Sequence, residues 1–178
     1  MAAKKLKKTE KFKIIWIFLL FALLIGILII FPFKAEKAQL IFFPEAWTIG
    51  YEKVKVDAEV VDNDGIVTLT SGCYQILAYT EASQAESIKN GLEGKISFRP
   101  NAHDLIKATF DNLGIEVVMV KITELKNNTF FGKIILRQGN KILSLDSRPS
   151  DGTAIAVRTN SPIYVNSELL KEFGKKIC

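Results

Sequence analysis

The pattern of apolar and polar positions changes period along this chain, and each change marks an element. Residues 14–33, IIWIFLLFALLIGILIIFPF, are twenty in a row without a charge. At ~1.5 Å rise per residue such a helix covers the roughly 30 Å hydrocarbon core of a bilayer, so the run predicts one transmembrane helix. A cleaved signal peptide would carry a shorter apolar stretch, roughly 7–15 residues, ending in small residues. Here the run ends at Phe31-Pro32-Phe33 and meets Lys34, Glu36 and Lys37. A core helix apolar on every side would find little to bury against at the start of a small domain.

From Val54 the period becomes two. Val54, Val56, Ala58 and Val60 alternate with Lys55, Asp57 and Glu59, the signature of a half-buried strand. A turn at Asp62-Asn63-Asp64-Gly65, a strand over 66–70, a turn at Ser71-Gly72 and a strand over 73–79 make an antiparallel meander. The Asp62 cluster also has the start of a calcium loop, but no glutamate stands at that loop's twelfth position. The spacing then predicts a helix over 82–90 ended by Gly91, a looser segment over 94–100, and a helix over 102–112. Asn101 caps the latter, with Asp104 three residues on, and Leu105, Ile106, Thr109, Phe110 and Leu113 form its stripe. Strands over 115–125, 129–137 and 141–145 follow, separated by Lys126-Asn127-Asn128 and Gln138-Gly139-Asn140. Ser147 or Arg148 caps a further helix with Pro149 in its first turn, ending at 160–162; a short strand over 163–165 and a helix over 167–173 complete the chain. The fold class is α+β, a mostly antiparallel or mixed sheet with packed helices, preceded by one transmembrane helix.

Four segments result: a basic cytoplasmic N-terminus (1–13), the spanning helix (14–33), a juxtamembrane linker (34–50) and one domain (51–178). The six lysines before the run, against Glu10 alone, keep the N-terminus inside by the positive-inside rule and send the domain across. The expected location is a cell membrane, crossed once, with the domain extracytoplasmic and the lipid bilayer as a partner. Those lysines also account for the whole net charge of +5, leaving eighteen basic and eighteen acidic residues in 34–178. A basic chain suggests phosphate attraction, yet here the folded part is neutral. Phe42, Phe43 and Trp47 in the linker suit either a membrane interface or packing on the domain. Cys73 and Cys178 are either a disulfide or two free thiols, and the single histidine leaves no zinc-finger ligand set. The sequon Asn127-Asn128-Thr129 falls in an expected turn and carries no functional weight.

Polar groups gather at two helix starts, Asn101-Ala102-His103-Asp104 and Asp146-Ser147-Arg148-Pro149-Ser150-Asp151. Helix N-termini offer unpaired N–H groups to anions. The plainer explanation is that Asp104 and Asp151 complement helix dipoles and Arg148 pairs with Asp151. Histidine is the side chain suited to proton transfer near neutrality, and His103 equally suits a structural place in a first turn.

The run Ser144-Leu145-Asp146-Ser147-Arg148-Pro149-Ser150-Asp151-Gly152-Thr153-Ala154-Ile155-Ala156-Val157-Arg158, followed by Ser161-Pro162-Ile163-Tyr164-Val165, resembles the signature of the bifunctional nuclease (BFN) family. Arg99-Pro100-Asn101-Ala102-His103-Asp104-Leu105, with Leu113-Gly114 beyond it, is similar to that family's His-Asp-Leu segment. The resemblance covers residues 51–170 approximately and centres on D-x-R-P-S-D. Gly152 and Thr153 replace the family's usual apolar residues, Gln84-Ala85 stands for its Glu-Ala with Glu81 nearby, and the anchor is an addition to a usually soluble domain.

The resemblance implies hydrolysis of phosphodiester bonds in RNA and DNA. That chemistry needs an activated water, charge stabilisation and a proton for the leaving oxygen, and we assign Asp146 and Asp151 to a divalent metal such as Mg²⁺, Arg148 to the phosphate and His103 to proton movement, with Asp104 and Ser150 in support. One site requires His103 and the R-P-S-D turn to meet across one cleft; beyond about 12 Å proton transfer fails. The competing expectations are a non-catalytic protein-binding domain, which the neutral charge favours, and a tethered sensor of a small anion. A sheet edge also leaves room for homo-oligomers.

Overall fold

A computed structural model describes residues 13, 15–25 and 43–178 of the chain, which divides into two units, Met1–Ala38 and Gln39–Cys178. In the first unit, residues 15–25 are helical with exposed side chains. The remainder of the apolar run expected to span a membrane, 26–33, lies outside the described residues, as do the basic residues 1–12. Among the described residues no helix is long and apolar enough to cross a membrane.

The second unit runs β1 (Tyr51–Lys53), β2 (Lys55–Val61), β3 (Asp64–Ser71), β4 (Tyr74–Glu81), α1 (Ala82–Leu92), α2 (Ala102–Leu113), β5 (Glu116–Lys126), β6 (Thr129–Gln138), β7 (Lys141–Ser147), α3 (Pro149–Thr159), β8 (Ile163–Asn166), α4 (Ser167–Phe173) and β9 (Lys175–Lys176). Two sheets form, in the orders β1-β8-β5-β6-β7 and β2-β3-β4-β9. Both expected meanders are present, one in each sheet. The α+β class with antiparallel and mixed sheets is observed, the one parallel pairing among the described residues being β5 with β8. The chain enters β8 from α3, and a strand that returns through a helix arrives parallel.

The main core lies between the sheets and under the helices, where Leu69 and Ile76 meet Val120, Ile122 and Val165, with Ile88, Ala154 and Ile155 closing it. Each large side chain buried this way contributes about 1.5–3 kcal/mol. A smaller cluster of Ala46, Met119 and Ile135, with Phe43 against it, covers the other face of the five-stranded sheet. Part of the linker therefore packs on the domain, and Lys121 fastens it: 4% exposed, its Nζ donates to the carbonyls of Glu45 and Trp47 and lies 4.2 Å from the Tyr51 ring centre. Burial, then the nearby Lys133 charge, lowers the Lys121 pKa against the pull of Glu45.

Three local readings shift. Gly91 lies inside α1 rather than ending it, since a Cβ there would come within 2.5 Å of Val157 on α3: the glycine is a contact point between helices. The stripe of α2 is only half used, with Ile106 and Phe110 on the core and Leu105 and Leu113 exposed. In α3, Gly152 and Thr153 weaken helix propensity, yet a Cβ on Gly152 would meet Val120 at 3.0 Å and Thr153 is fully buried. Close packing holds this helix.

The cysteine alternatives close on a disulfide between Cys73 and Cys178. β9 pairs with the start of β4, Tyr74 opposite Lys176, and Ile177 N–H donates to the Cys73 carbonyl at 2.9 Å. The Cα atoms are thereby set 5.3 Å apart, inside the range a disulfide spans.

Candidate functional site

Three helices converge on one polar network. Asn101 is the N-cap of α2 in a full capping box: its Oδ1 accepts from the N–H groups of His103 and Asp104, while its own N–H donates to Asp104 Oδ2 at 3.0 Å. Because Oδ1 is committed to those two donors, Asn101 Nδ2 points the other way and donates to Ser87 Oγ at 3.0 Å. Ser87, buried on α1, then has its hydroxyl hydrogen for His103 Nδ1, 2.9 Å away. With a neutral ring, the proton is left on Nε2, which faces Asp151 Oδ1 at 3.3 Å. The tautomer follows from the order of donors and acceptors.

Asp151 stands in the first turn of α3 between two partners. Its second oxygen accepts from Arg148 Nε at 2.8 Å, and Arg148 Nη2 approaches Oδ1 at 3.4 Å. Hydrogen bonding to Asp151 and its charge raise the Arg148 pKa and keep it cationic. Exposure grades outward along this line: His103 10%, Asp151 30% and Arg148 67% of each side chain. The two helix starts therefore meet well within hydrogen-bond reach of the single-cleft requirement.

Asp104 points into the structure. Its Oδ1 accepts from Arg158 Nε at 2.7 Å with both side chains buried, and Arg158 Nη1 also donates to the carbonyls of Ser87 and Ala154. Burial raises the Asp104 pKa most, but the hydrogen bonds from Arg158 and Asn101 and the charges of Arg158 and His103 outweigh it, so the net shift is downward. Asp104 thus positions α2 against α3.

Ser150 and Arg148 line a cavity of about 340 Å³ between the two sheets, whose walls include Leu69, Ile76, Ile122 and Val165. Asp146 is elsewhere. On β7 it follows the alternation of Ile142 and Ser144, of which Ile142 packs with Met119 and Ile135 and Ser144 lies on the side of Glu45. Its neighbour Ser147 faces Gly152 on α3, so Asp146 points away from Asp151. No three His, Cys, Asp or Glu residues among those described are grouped to hold a metal ion. A Mg²⁺ set built on Asp146 and Asp151 does not fit this arrangement, because Asp146 lies on the face of β7 turned away from Asp151.

Ser87 and Arg158 belong to the network and were not among the residues expected there. Arg158 leaves a signal in sequence, a cation directly after the apolar run 154–157, which demands a buried partner. Ser87 leaves none.

Comparison with known proteins bears on the same region. Residues 74–177 match the family model described as Bifunctional nuclease domain. An uncharacterized protein of Mycobacterium tuberculosis is 36% identical over 92 residues, covering 52% of this chain and 54% of that one. Bifunctional nuclease 1 of Arabidopsis thaliana is 35% identical over 82 residues, 44% of this chain and 25% of that one; bifunctional nuclease 1 of Oryza sativa subsp. japonica is 33% identical over the same length and shares. The matched stretch spans about half of the mycobacterial protein and a quarter of each plant protein.

Proposed function

Because the chain belongs to the bifunctional nuclease domain family, we propose that it hydrolyses phosphodiester bonds of RNA and DNA at the junction of α1, α2 and α3. The observation that carries this reading is the His103–Asp151–Arg148 line, which grades from a buried imidazole to an exposed guanidinium. Arg148, with 67% of its side chain exposed, offers its guanidinium to a phosphodiester, a planar cation suited to phosphate. Asp151 meets the water. As the water oxygen bonds to phosphorus and the ester P–O bond breaks, the water's proton passes to Asp151. His103, with both ring nitrogens engaged by the protein, exchanges protons through that carboxylate, and the pair returns one to the leaving oxygen. Ser150 lies beside Arg148 on the cavity wall. A divalent metal, if bound, would neutralise charge on the phosphoryl oxygens. Activity with Mg²⁺ and with EDTA tests that expectation separately.

The test is cleavage of labelled single-stranded RNA and DNA by the full-length protein. His103→Ala with Asp151→Ala should lower the rate by about 10²–10⁴-fold, the usual contribution of acid–base groups. A double variant that cleaves at the parental rate would overturn the assignment. The balanced charge of residues 34–178 favours the second reading, a non-catalytic protein-binding or anion-sensing domain, and no cleavage by the parent under any metal condition would support it.

The proposal includes a single-pass membrane tether with the N-terminus inside. The uncharged run 14–33 and its lysine asymmetry support it, as does a disulfide suited to an oxidising exterior. Protease added to intact cells should reach the domain, and protection of the domain would reverse the topology.

A further inference from the structure

We propose that the cavity between the two sheets is a nucleobase pocket, which seats one unpaired base of a single-stranded substrate and lays its phosphate on Arg148. The inference rests on the nuclease reading and adds to it a substrate class. At about 340 Å³ the cavity lies within the ~300–1,000 Å³ range of small-ligand pockets. Its lining is mixed, with Leu69, Ile76, Ile122 and Val165 apolar and Glu81, Gln84 and Ser150 polar, and Phe130 supplies an aromatic wall against which a base can stack.

Two features select a base over a purely apolar guest. Gln84 lines the cavity, and its Oε1 is buried without a hydrogen-bond partner. A buried amide with unused capacity is costly, and a ligand edge repairs it. Every nucleobase carries N–H groups and acceptors on its pairing edge, whereas an acyl chain would leave the amide unmet. The second feature is Arg148, which lines the cavity and is also bonded to Asp151. A guest seated by its base therefore presents its phosphate to the residue next to the proposed chemistry.

Proteins that bind nucleic acid through phosphates carry a strong positive field and lose affinity steeply with salt. Residues 34–178 carry equal numbers of basic and acidic groups, so base insertion must supply what the backbone does not. A base paired in a duplex has its edge occupied and cannot enter without being extruded. Single strands are the substrate that fits.

The test is equilibrium binding of adenosine 5′-monophosphate and of ribose 5-phosphate to the full-length protein, followed by calorimetry. The nucleotide should bind at least tenfold tighter than the sugar phosphate. Ala78→Phe, which fills the cavity from β4, should abolish that preference, and Gln84→Leu should reduce it about tenfold, the loss of one buried hydrogen bond. Unfolding midpoints check that both variants fold, and a third variant, Gln84→Glu, keeps the shape while changing the edge that is read. Equal binding of both probes by the parent, or a preference indifferent to Ala78→Phe in a folded protein, overturns the pocket. Nucleotide binding without cleavage supports the pocket while overturning the nuclease reading. Cleavage of duplex as fast as single strand overturns the pocket alone.

Discussion

Replacing Asp104 by alanine should unfold this domain far more readily than its distance from solvent chemistry suggests. The carboxylate and Arg158 lie 2.7 Å apart with 8% and 4% of their side chains exposed, so the variant leaves a guanidinium buried with only the carbonyls of Ser87 and Ala154 as partners. Breaking a buried pair by removing one member costs about 3–5 kcal/mol. The return half of the α2 capping box goes with it, since the Asn101 N–H loses Asp104 Oδ2, adding about 1 kcal/mol. For a domain of roughly 140 residues the entropy of unfolding is near 0.3 kcal/mol/K, so the melting midpoint should fall by about 10–20 °C. Urea unfolding followed by circular dichroism measures it. The double variant Asp104→Ala, Arg158→Met should recover much of the loss, because the stranded charge is gone. The wild type carries a pH signature as well. A carboxylate whose folded pKa is lowered below its ordinary value of 3.8 contributes stability above that value and loses it as pH falls through the folded pKa. Asp104→Asn should flatten that acid limb. A cost below about 1 kcal/mol for Asp104→Ala would refute the reasoning, since it would put the pair in the range of a solvated surface bridge.

Three further outcomes are expected. Ser87→Ala removes the hydroxyl that directs the His103 ring and should cost about 1–2 kcal/mol of stability, with turnover falling more than substrate affinity in steady-state kinetics. Reducing the Cys73–Cys178 bridge, which spans a sequence separation of 105, should cost about 4–5 kcal/mol in the chain-entropy account; denaturation with and without reductant reads it. Lys121→Met should strand the carbonyls of Glu45 and Trp47, costing about 1–3 kcal/mol, and amide exchange should rise locally over 43–50.

Much of the fold was legible because its elements are stated locally. The Asn101 cap and Asp104 three residues on appear as a full capping box, and Asn127 and Asn128, at the expected turn, both adopt positive φ. What local pattern cannot carry is pairing between distant segments. Tyr51–Lys53 is too short to show a period, and it becomes a strand because β8 lies beside it. Lys175–Lys176 is likewise a strand only by pairing with β4. The site divides on the same line. His103, Arg148 and Asp151 stand at helix starts that sequence marks, and the fold joins them. Asp146 shares their motif, but side chains alternate along a strand, so proximity in sequence sends it to the opposite face. Gly91 reads as a terminator until the helix packed against it is known.

The disulfide also makes the domain topologically closed. Everything from Cys73 to Cys178 forms a covalent ring, and Ser87, His103, Asp151 and four of the five strands of the larger sheet lie on it. The segment joining α1 to α2 is the exposed stretch of that ring, with Phe98 wholly in solvent. A protease that cuts there opens the ring without dividing the molecule. The product is a two-ended loop whose fragments stay joined, held to the same junction of helices, until a reductant releases them.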